Sequence, residues 1–256
     1  MAEPSVITSR DNPLLKELRK LSTDNIAYRK AGKFWIEGDH LCRAALQRGV
    51  GPAIAVFSES FWPLARVEYA QAAPKIIVTP DALFREVSGL ESPASMGFVI
   101  DLPARQSVQA QAASVILDRV QDAGNVGSIL RSAGAFGFRQ VLALKGTAAL
   151  WSPKVLRAGM GAHFGLTLLE GLELSDLDDL AVPLVVTSSH QGDLVQNLAL
   201  PHPCAWAMGH EGQGVSTELM ARARVFARIG QPGGEESLNV AAAAAICLHA
   251  SSLKMV

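Results

Sequence analysis

The sequence predicts an α/β protein in two domains, the second of them built on a parallel sheet. Short apolar runs alternate with helix-forming segments along nearly all of its 256 residues. In the second half those runs are continuously apolar, as in Val115-Ile116-Leu117, which marks strands covered on both faces and therefore parallel. Between the halves, Leu102–Ala113 carries a proline, three glutamines and small residues with no hydrophobic period. That composition reads as a linker, so domains are expected at 1–102 and 114–256, joined by 103–113.

In the first domain, Asn12–Lys30 carries Leu14, Leu15, Leu18 and Leu21 at helical spacing, with Asn12-Pro13 as a helix start. Phe34–Glu37 reads as a strand and Asp39–Arg48 as a helix ending at Gly49. Ile54–Phe57, Ile76–Val78 and Gly97–Ile100 are short apolar runs between turn signals, hence strands, and Asp81–Val87 is a helix.

From Ser114 the alternation is cleaner. Strands are expected at Val115–Leu117, Gln140–Leu144, Gly165–Leu169, Leu184–Thr187, Ala205–Met208 and Val225–Ile229. Helices are expected at Asn125–Phe136, Pro153–Met160, Asp176–Leu180 and Ser216–Ala223. A final alanine-rich helix follows Ser237, which is read as its N-cap.

Net charge is −1, which does not advertise a nucleic-acid binder, but the balance is uneven. Residues 1–50 hold nine Lys/Arg against six Asp/Glu, and the remainder fourteen against eighteen. Arg10, Lys16, Arg19, Lys20, Arg29 and Lys30 are therefore the candidates for phosphate contact, with a solvated helix face as the plain alternative. Cys42, Cys204 and Cys247 are scattered singly, as small buried hydrophobes of a reducing compartment would be. No run has the length of a membrane span and no signal-peptide order opens the chain, so a cytoplasmic protein without membrane contact is expected. The histidines lack metal-ligand spacing, no GxSxG elbow is present, and no metal is expected.

Three loops leave the carboxyl ends of expected strands, where α/β folds place ligands. The first, Asp118–Arg131, enters a helix through Gly124 and Gly127, with Arg131 one turn after Gly127. A dinucleotide-binding reading, and with it an oxidoreductase, is weak here because GxGxxG is absent. The second loop is Met208-Gly209-His210-Glu211-Gly212-Gln213-Gly214-Val215, with Glu211 its acid. The third, Gly230–Asn239, offers Ser237 and Asn239.

Together these loops resemble the three motifs of the SpoU (TrmH-type) RNA ribose 2′-O-methyltransferases of the SPOUT superfamily. Asn125-x-Gly127-x-x-x-Arg131 matches the first, Gly209-x-Glu211-x-x-Gly214 the second and Ser237-Leu238-Asn239-Val240 the third. ITSRDNPLLKELRKL and FWIEGDHLCRAAL resemble the opening of the family's small, ribosomal-protein-like substrate domain. The resemblance implies a knotted (trefoil) C-terminal methyltransferase domain, a homodimer, S-adenosylmethionine as cofactor and RNA, chiefly rRNA, as substrate. It implies that Thr187, Gly209, Ile229 and Leu238 line the cofactor, and that Arg131, Asn125, Glu211, Ser237 and Asn239 form the catalytic set. Within that set Arg131 would act on the 2′-hydroxyl, Asn125 and Glu211 would hold Arg131 and the loop, and Ser237 and Asn239 would close the site. A tRNA target and a decayed RNA-binding member are the alternatives. Ile229-Gly230 and Ala241-Ala242 depart from the family's usual Ile-Pro and Ser-Val.

Overall fold

The computed structural model of the protein describes residues 4–188, 191–233 and 237–253. Internal packing divides the chain into two compact units, residues 1–104 with 151–164 and residues 105–150 with 165–256.

The first unit runs β1 (Ser5–Val6), α1 (Pro13–Thr23), α2 (Ala27–Ala31), β2 (Lys33–Glu37), α3 (Asp39–Gln47), β3 (Ile54–Ser58), α4 (Trp62–Tyr69), β4 (Lys75–Thr79), α5 (Asp81–Val87) and β5 (Met96–Asp101). Its sheet has the order β1-β4-β3-β5-β2, with β5 antiparallel to both neighbours. Helix α1 starts where Asn12 Oδ1 accepts the Leu14 N–H at 2.9 Å, and it buries Leu15, Leu18 and Leu21. The stretch to Lys30 is not one helix. Asp24 turns extended and its Oδ1 takes the Ile26 N–H at 2.9 Å, an Asx turn that competes with the helix and restarts the chain as α2. Helix α4 was not expected from the sequence, because Leu64 and Val67 face outward and blur the helical pattern.

Of the candidate phosphate contacts on this unit, Arg10 and Arg19 both pair with Glu86, and Lys16 pairs with Asp11. Lys20, Arg29 and Lys30 are exposed.

The second unit opens with β6 (Ser114–Asp118), α6 (Ala123–Ala135) and β7 (Gln140–Leu144). Helix α7 (Pro153–Gly159) then packs with the first unit, against α1 and β2, although the sequence reading puts it inside the second domain. The second unit resumes with β8 (Thr167–Leu172), β9 (Leu184–Thr187), β10 (Asp193–Leu194), β11 (Ala205–Gly209), α8 (Thr217–Met220), β12 (Val225–Arg228) and α9 (Val240–Ser252). Every pairing in its seven-stranded sheet, β10-β12-β9-β11-β6-β7-β8, is parallel. Strands β6, β7 and β11 are buried along their whole length, as their unbroken apolar runs require.

Some boundaries differ from expectation. The strand expected from Gly165 starts at Thr167, and the acidic helix at Asp176–Leu180 is a 3₁₀ turn over Leu174–Leu177, closed by a Glu173/Asp176 capping box. Helix α8 is only four residues long. The expected linker has no regular structure, but its second half is docked: Gln109 N–H donates to Gln140 Oε1 at 2.7 Å, and Ala110 C=O accepts from Ala181 N–H at 2.9 Å.

Strand β12 lies beyond β9 in the sheet, yet α9 returns to pack on α6 and β11. That return is fixed in the core by Trp206, whose Nε1–H donates to the buried Ser251 hydroxyl at 2.8 Å. The N-cap of α9 is Asn239, not Ser237. Its Oδ1 accepts from the N–H groups of both Ala241 (2.9 Å) and Ala242 (3.2 Å), so one side chain satisfies two of the helix's orphan donors.

Candidate active site

The carboxyl ends of β6, β11, β9 and β12 stand side by side. Asp118 is in register with Gly209, Val186 with Ala207, and Thr187 with Ala227. The three loops singled out in the sequence leave this one edge, or return to it.

Strand β6 runs directly into α6, whose N-cap is Asp122; its Oδ1 accepts the Asn125 N–H at 2.8 Å. Asn125 therefore sits in the first turn. Val126, Ile129, Leu130 and Ala133 form the buried face of α6, while Ser128 and Arg131 point outward.

The loop after β11 folds back on itself through paired bonds between His210 and Gly214, at 3.0 Å and 2.8 Å. His210 Nδ1 accepts from the N–H groups of Gly212 (3.0 Å) and Gln213 (3.2 Å), which closes the turn. The fold-back is so tight that a Cβ at Gly209 would lie 2.2 Å from the backbone of Gly214 and Val215. Only glycine fits there without moving the loop.

This turn aims Glu211 at the start of α6. Its carboxylate accepts from Gln121 N–H (3.1 Å), Asp122 N–H (3.0 Å) and Asn125 Nδ2 (3.1 Å). Partial burial pushes the Glu211 pKa upward, but the bonds from Asn125 and from the Asp122 and Gln121 amides outweigh it and hold the value at about 2. The positive end of the α6 dipole favours the same charge. Asn125 passes the connection on: its Oδ1 accepts from Asn239 Nδ2 at 2.9 Å, and Asn239 caps α9. Glu211, Asn125 and Asn239, one from each loop, form a continuous hydrogen-bonded chain.

The other expected residues fall out differently. Arg131 is exposed, and among the described residues its guanidinium has no hydrogen bond or ion pair, so Asn125 and Glu211 hold the loop and the α6 terminus rather than Arg131. Ser237 is exposed and likewise makes no hydrogen bond to the described residues. Thr187 ends β9, with its hydroxyl 3.5 Å from the Ala207 carbonyl, the long limit of a bond. Ile229 follows β12 half-buried, and Leu238 is 40% exposed. Asp118 and Arg119 were given no role from the sequence. Asp118 is only 2% exposed and accepts the Ser216 N–H at 2.6 Å. A charged residue closing an otherwise apolar buried strand was the available signal.

Residues 112–249 match the SpoU rRNA Methylase family. The chain belongs to that family. Residues 12–97 match the MRM3-like substrate binding domain. The 23S rRNA (guanosine(2553)-2′-O)-methyltransferase RlmP of Bacillus subtilis is 31% identical over 247 residues, 95% of this chain and 97% of that one. The human mitochondrial rRNA methyltransferase 3 is 33% identical over 60% of this chain, which spans 39% of that protein. Among solved structures, one described as an RNA 2′-O ribose methyltransferase aligns with a TM-score of 0.79 at 30% identity, over 97% of this chain and 98% of that one. An AdoMet-bound rRNA methyltransferase from Sinorhizobium meliloti aligns over 100% of both chains with a TM-score of 0.85 at 24% identity, which bears out the α/β parallel-sheet class of this SpoU member.

Proposed function

We propose that this SpoU-family protein transfers a methyl group from S-adenosylmethionine to a ribose 2′-hydroxyl of ribosomal RNA. The observation that carries this reading is the Glu211–Asn125–Asn239 chain, which joins the family's three motifs at one sheet edge near an exposed arginine. Ribosomal RNA is favoured over tRNA by the substrate-domain match and by the rRNA named for the Bacillus relative.

The residues at the edge suit the cofactor. Half-buried Ile229 and exposed Leu238 offer apolar surface to an adenine, and at Gly214 and Gly233 the space that a Cβ would occupy is open, so a ligand can approach the backbone. Thr187 and Gly209 complete the assigned cofactor set from the ends of β9 and β11. When bound, S-adenosylmethionine supplies an electrophilic methyl on its sulfonium. Rate then comes largely from alignment, because hydroxyl oxygen, methyl carbon and sulfur must be collinear.

Arg131 is assigned to orient the 2′-hydroxyl and to stabilise the charge that develops on it. A guanidinium holds its proton too tightly to act as a general base, so the proton goes to a phosphate or another group of the bound RNA. Asn125, Glu211 and Asn239 keep the loops in place, and Ser237 is assigned to close the site.

Two further parts belong to this reading. The outward stripe of α9 carries Ala242, Ile246 (40% exposed) and His249, with Leu253 (63% exposed) just past its end, and suits a second copy of the chain. Sedimentation as a monomer at micromolar concentration would contradict the homodimer. The return of α9 onto α6 and β11 supports the trefoil threading implied by the family. Among the described residues no helix is long and apolar enough to cross a membrane. The three free, buried cysteines fit a reducing cytoplasm.

The test is to incubate the protein with S-adenosylmethionine and rRNA from cells lacking its gene, then map alkali-resistant positions. One new 2′-O-methylated rRNA position is expected. No change at any ribose would sink the reading, and methylation of tRNA alone would overturn its substrate.

A further inference from the structure

We propose that Arg119 is a positioning residue of this site, latching the Gly209–Ser216 loop to the end of β6. The inference rests on the methyl-transfer reading above. Arg119 has a φ of 61°, a left-handed conformation that disfavours any residue with a Cβ. Such a residue persists only where its surroundings over-determine it, and here they do. The Arg119 N–H donates to Thr147 Oγ1 at 3.1 Å, and the hydroxyl of Thr147 donates to the Leu117 carbonyl at 3.0 Å. The arginine stem lies across Gly146, where a Cβ would come within 3.1 Å of Arg119 Cγ.

The side chain then spans two elements. Nε–H donates to Asp118 Oδ1 at 3.0 Å, and Nη1–H donates to Gln213 Oε1 at 3.0 Å. The second oxygen of Asp118 holds the Ser216 N–H. The Asp118–Arg119 pair thus grips the loop at Gln213 and at Ser216, while Glu211, earlier in the loop, ties its first half to the start of α6. Held at three points, the loop fixes the Gly209 backbone and the carboxylate that orients Asn125. A small displacement of such groups is enough to cost a positioned reaction much of its rate.

A left-handed arginine would be a poor choice for a purely structural turn, since glycine suits the angle better. What the arginine adds is the Gln213 contact, which glycine cannot make.

The experiment measures S-adenosylmethionine affinity by calorimetry, and amide exchange of residues 210–216 in the cofactor-free protein, for Arg119→Gly, Gln213→Ala, the double variant and Gln213→Glu. Arg119→Gly suits the backbone angle, and Gln213→Ala leaves the Asp118 pair untouched, so at least one probe of the latch keeps the fold. Each single substitution is expected to weaken cofactor binding about tenfold and to speed exchange at Gly212–Gly214. The double variant is expected to be no worse than the weaker single, because both remove the same contact. Gln213→Glu keeps an acceptor for the guanidinium and is expected to restore affinity and protection. Wild-type affinity and exchange in Gln213→Ala, or losses that add in the double variant, overturn the latch. Failure of the wild-type protein to bind S-adenosylmethionine overturns the methyl-transfer reading instead, and the exchange rates still decide whether the latch exists.

Discussion

Arg131→Ala is expected to lower methyl transfer by about 10²–10³-fold while leaving S-adenosylmethionine binding and the fold intact, as loss of one poised charge-stabilising donor does elsewhere. The fold is spared because Arg131 lies on the outward face of α6, opposite Val126, Ile129, Leu130 and Ala133, and has no partner among the described residues to leave stranded. Cofactor binding is spared because the residues assigned to it lie on other elements, at the ends of β9 and β11 and in the segment between β12 and α9. The loss should therefore fall on kcat rather than on cofactor affinity. Arg131→Lys keeps the charge but not the planar fork, and should recover only part of the rate. Single-turnover assays with the cofactor saturating provide the measurement. An alanine variant retaining more than about a tenth of the wild-type rate would remove Arg131 from its assigned role.

The second large effect is expected at Glu211. Glu211→Gln is isosteric, yet its amide can accept with one oxygen only and turns an NH2 toward backbone donors. With the amide oxygen kept in the Oε1 position, which serves Asp122 and Asn125, the bond from the Gln121 N–H is lost and replaced by a donor–donor contact. A loss of about 1–2 kcal/mol is expected, toward the low end of charged hydrogen bonds because the carboxylate is exposed. Activity should fall further than stability, since the same side chain sets the position of Asn125 and, through it, Asn239.

The pH dependence has a definite sign. The folded-state pKa of Glu211, about 2, lies below the ordinary 4.5. Its contribution to stability is therefore full above the ordinary value and is lost as pH falls through that window. The melting-temperature difference between wild type and Glu211→Gln should be constant near pH 7 and shrink below about pH 4.5. A difference unchanged down to about pH 2.5 would mean that the carboxylate charge does not hold the loop.

Local chemistry accounts for what was legible in the sequence. Unbroken apolar runs marked β6, β7 and β11, because a parallel strand covered on both faces has no polar side to show. Glycines after those runs marked the loops. The cap of α9 was misplaced because Ser237 and Asn239 are both good cap residues two positions apart, and only the geometry shows which one meets the Ala241 and Ala242 amides. The grip of Asp118 on Ser216 and of Arg119 on Gln213 spans 98 and 94 residues, and no local pattern reports a contact at that separation. Helix α7 was recognisable as a helix from Ser152-Pro153, but the unit it packs with depends on partners more than a hundred residues earlier, such as those on α1 and β2.

That placement of α7 has a consequence for synthesis. The Trp151 ring packs tilted against Phe34 of β2, centroids 4.7 Å apart, so the first unit lacks part of its core until residues 151–164 have been made. By then β6, α6 and β7 of the second unit have already been translated. The two units therefore cannot mature strictly one after the other on the ribosome. A nascent chain ending at residue 104 would present the Phe34 side chain to water, a surface for chaperones to shield until its aromatic partner arrives.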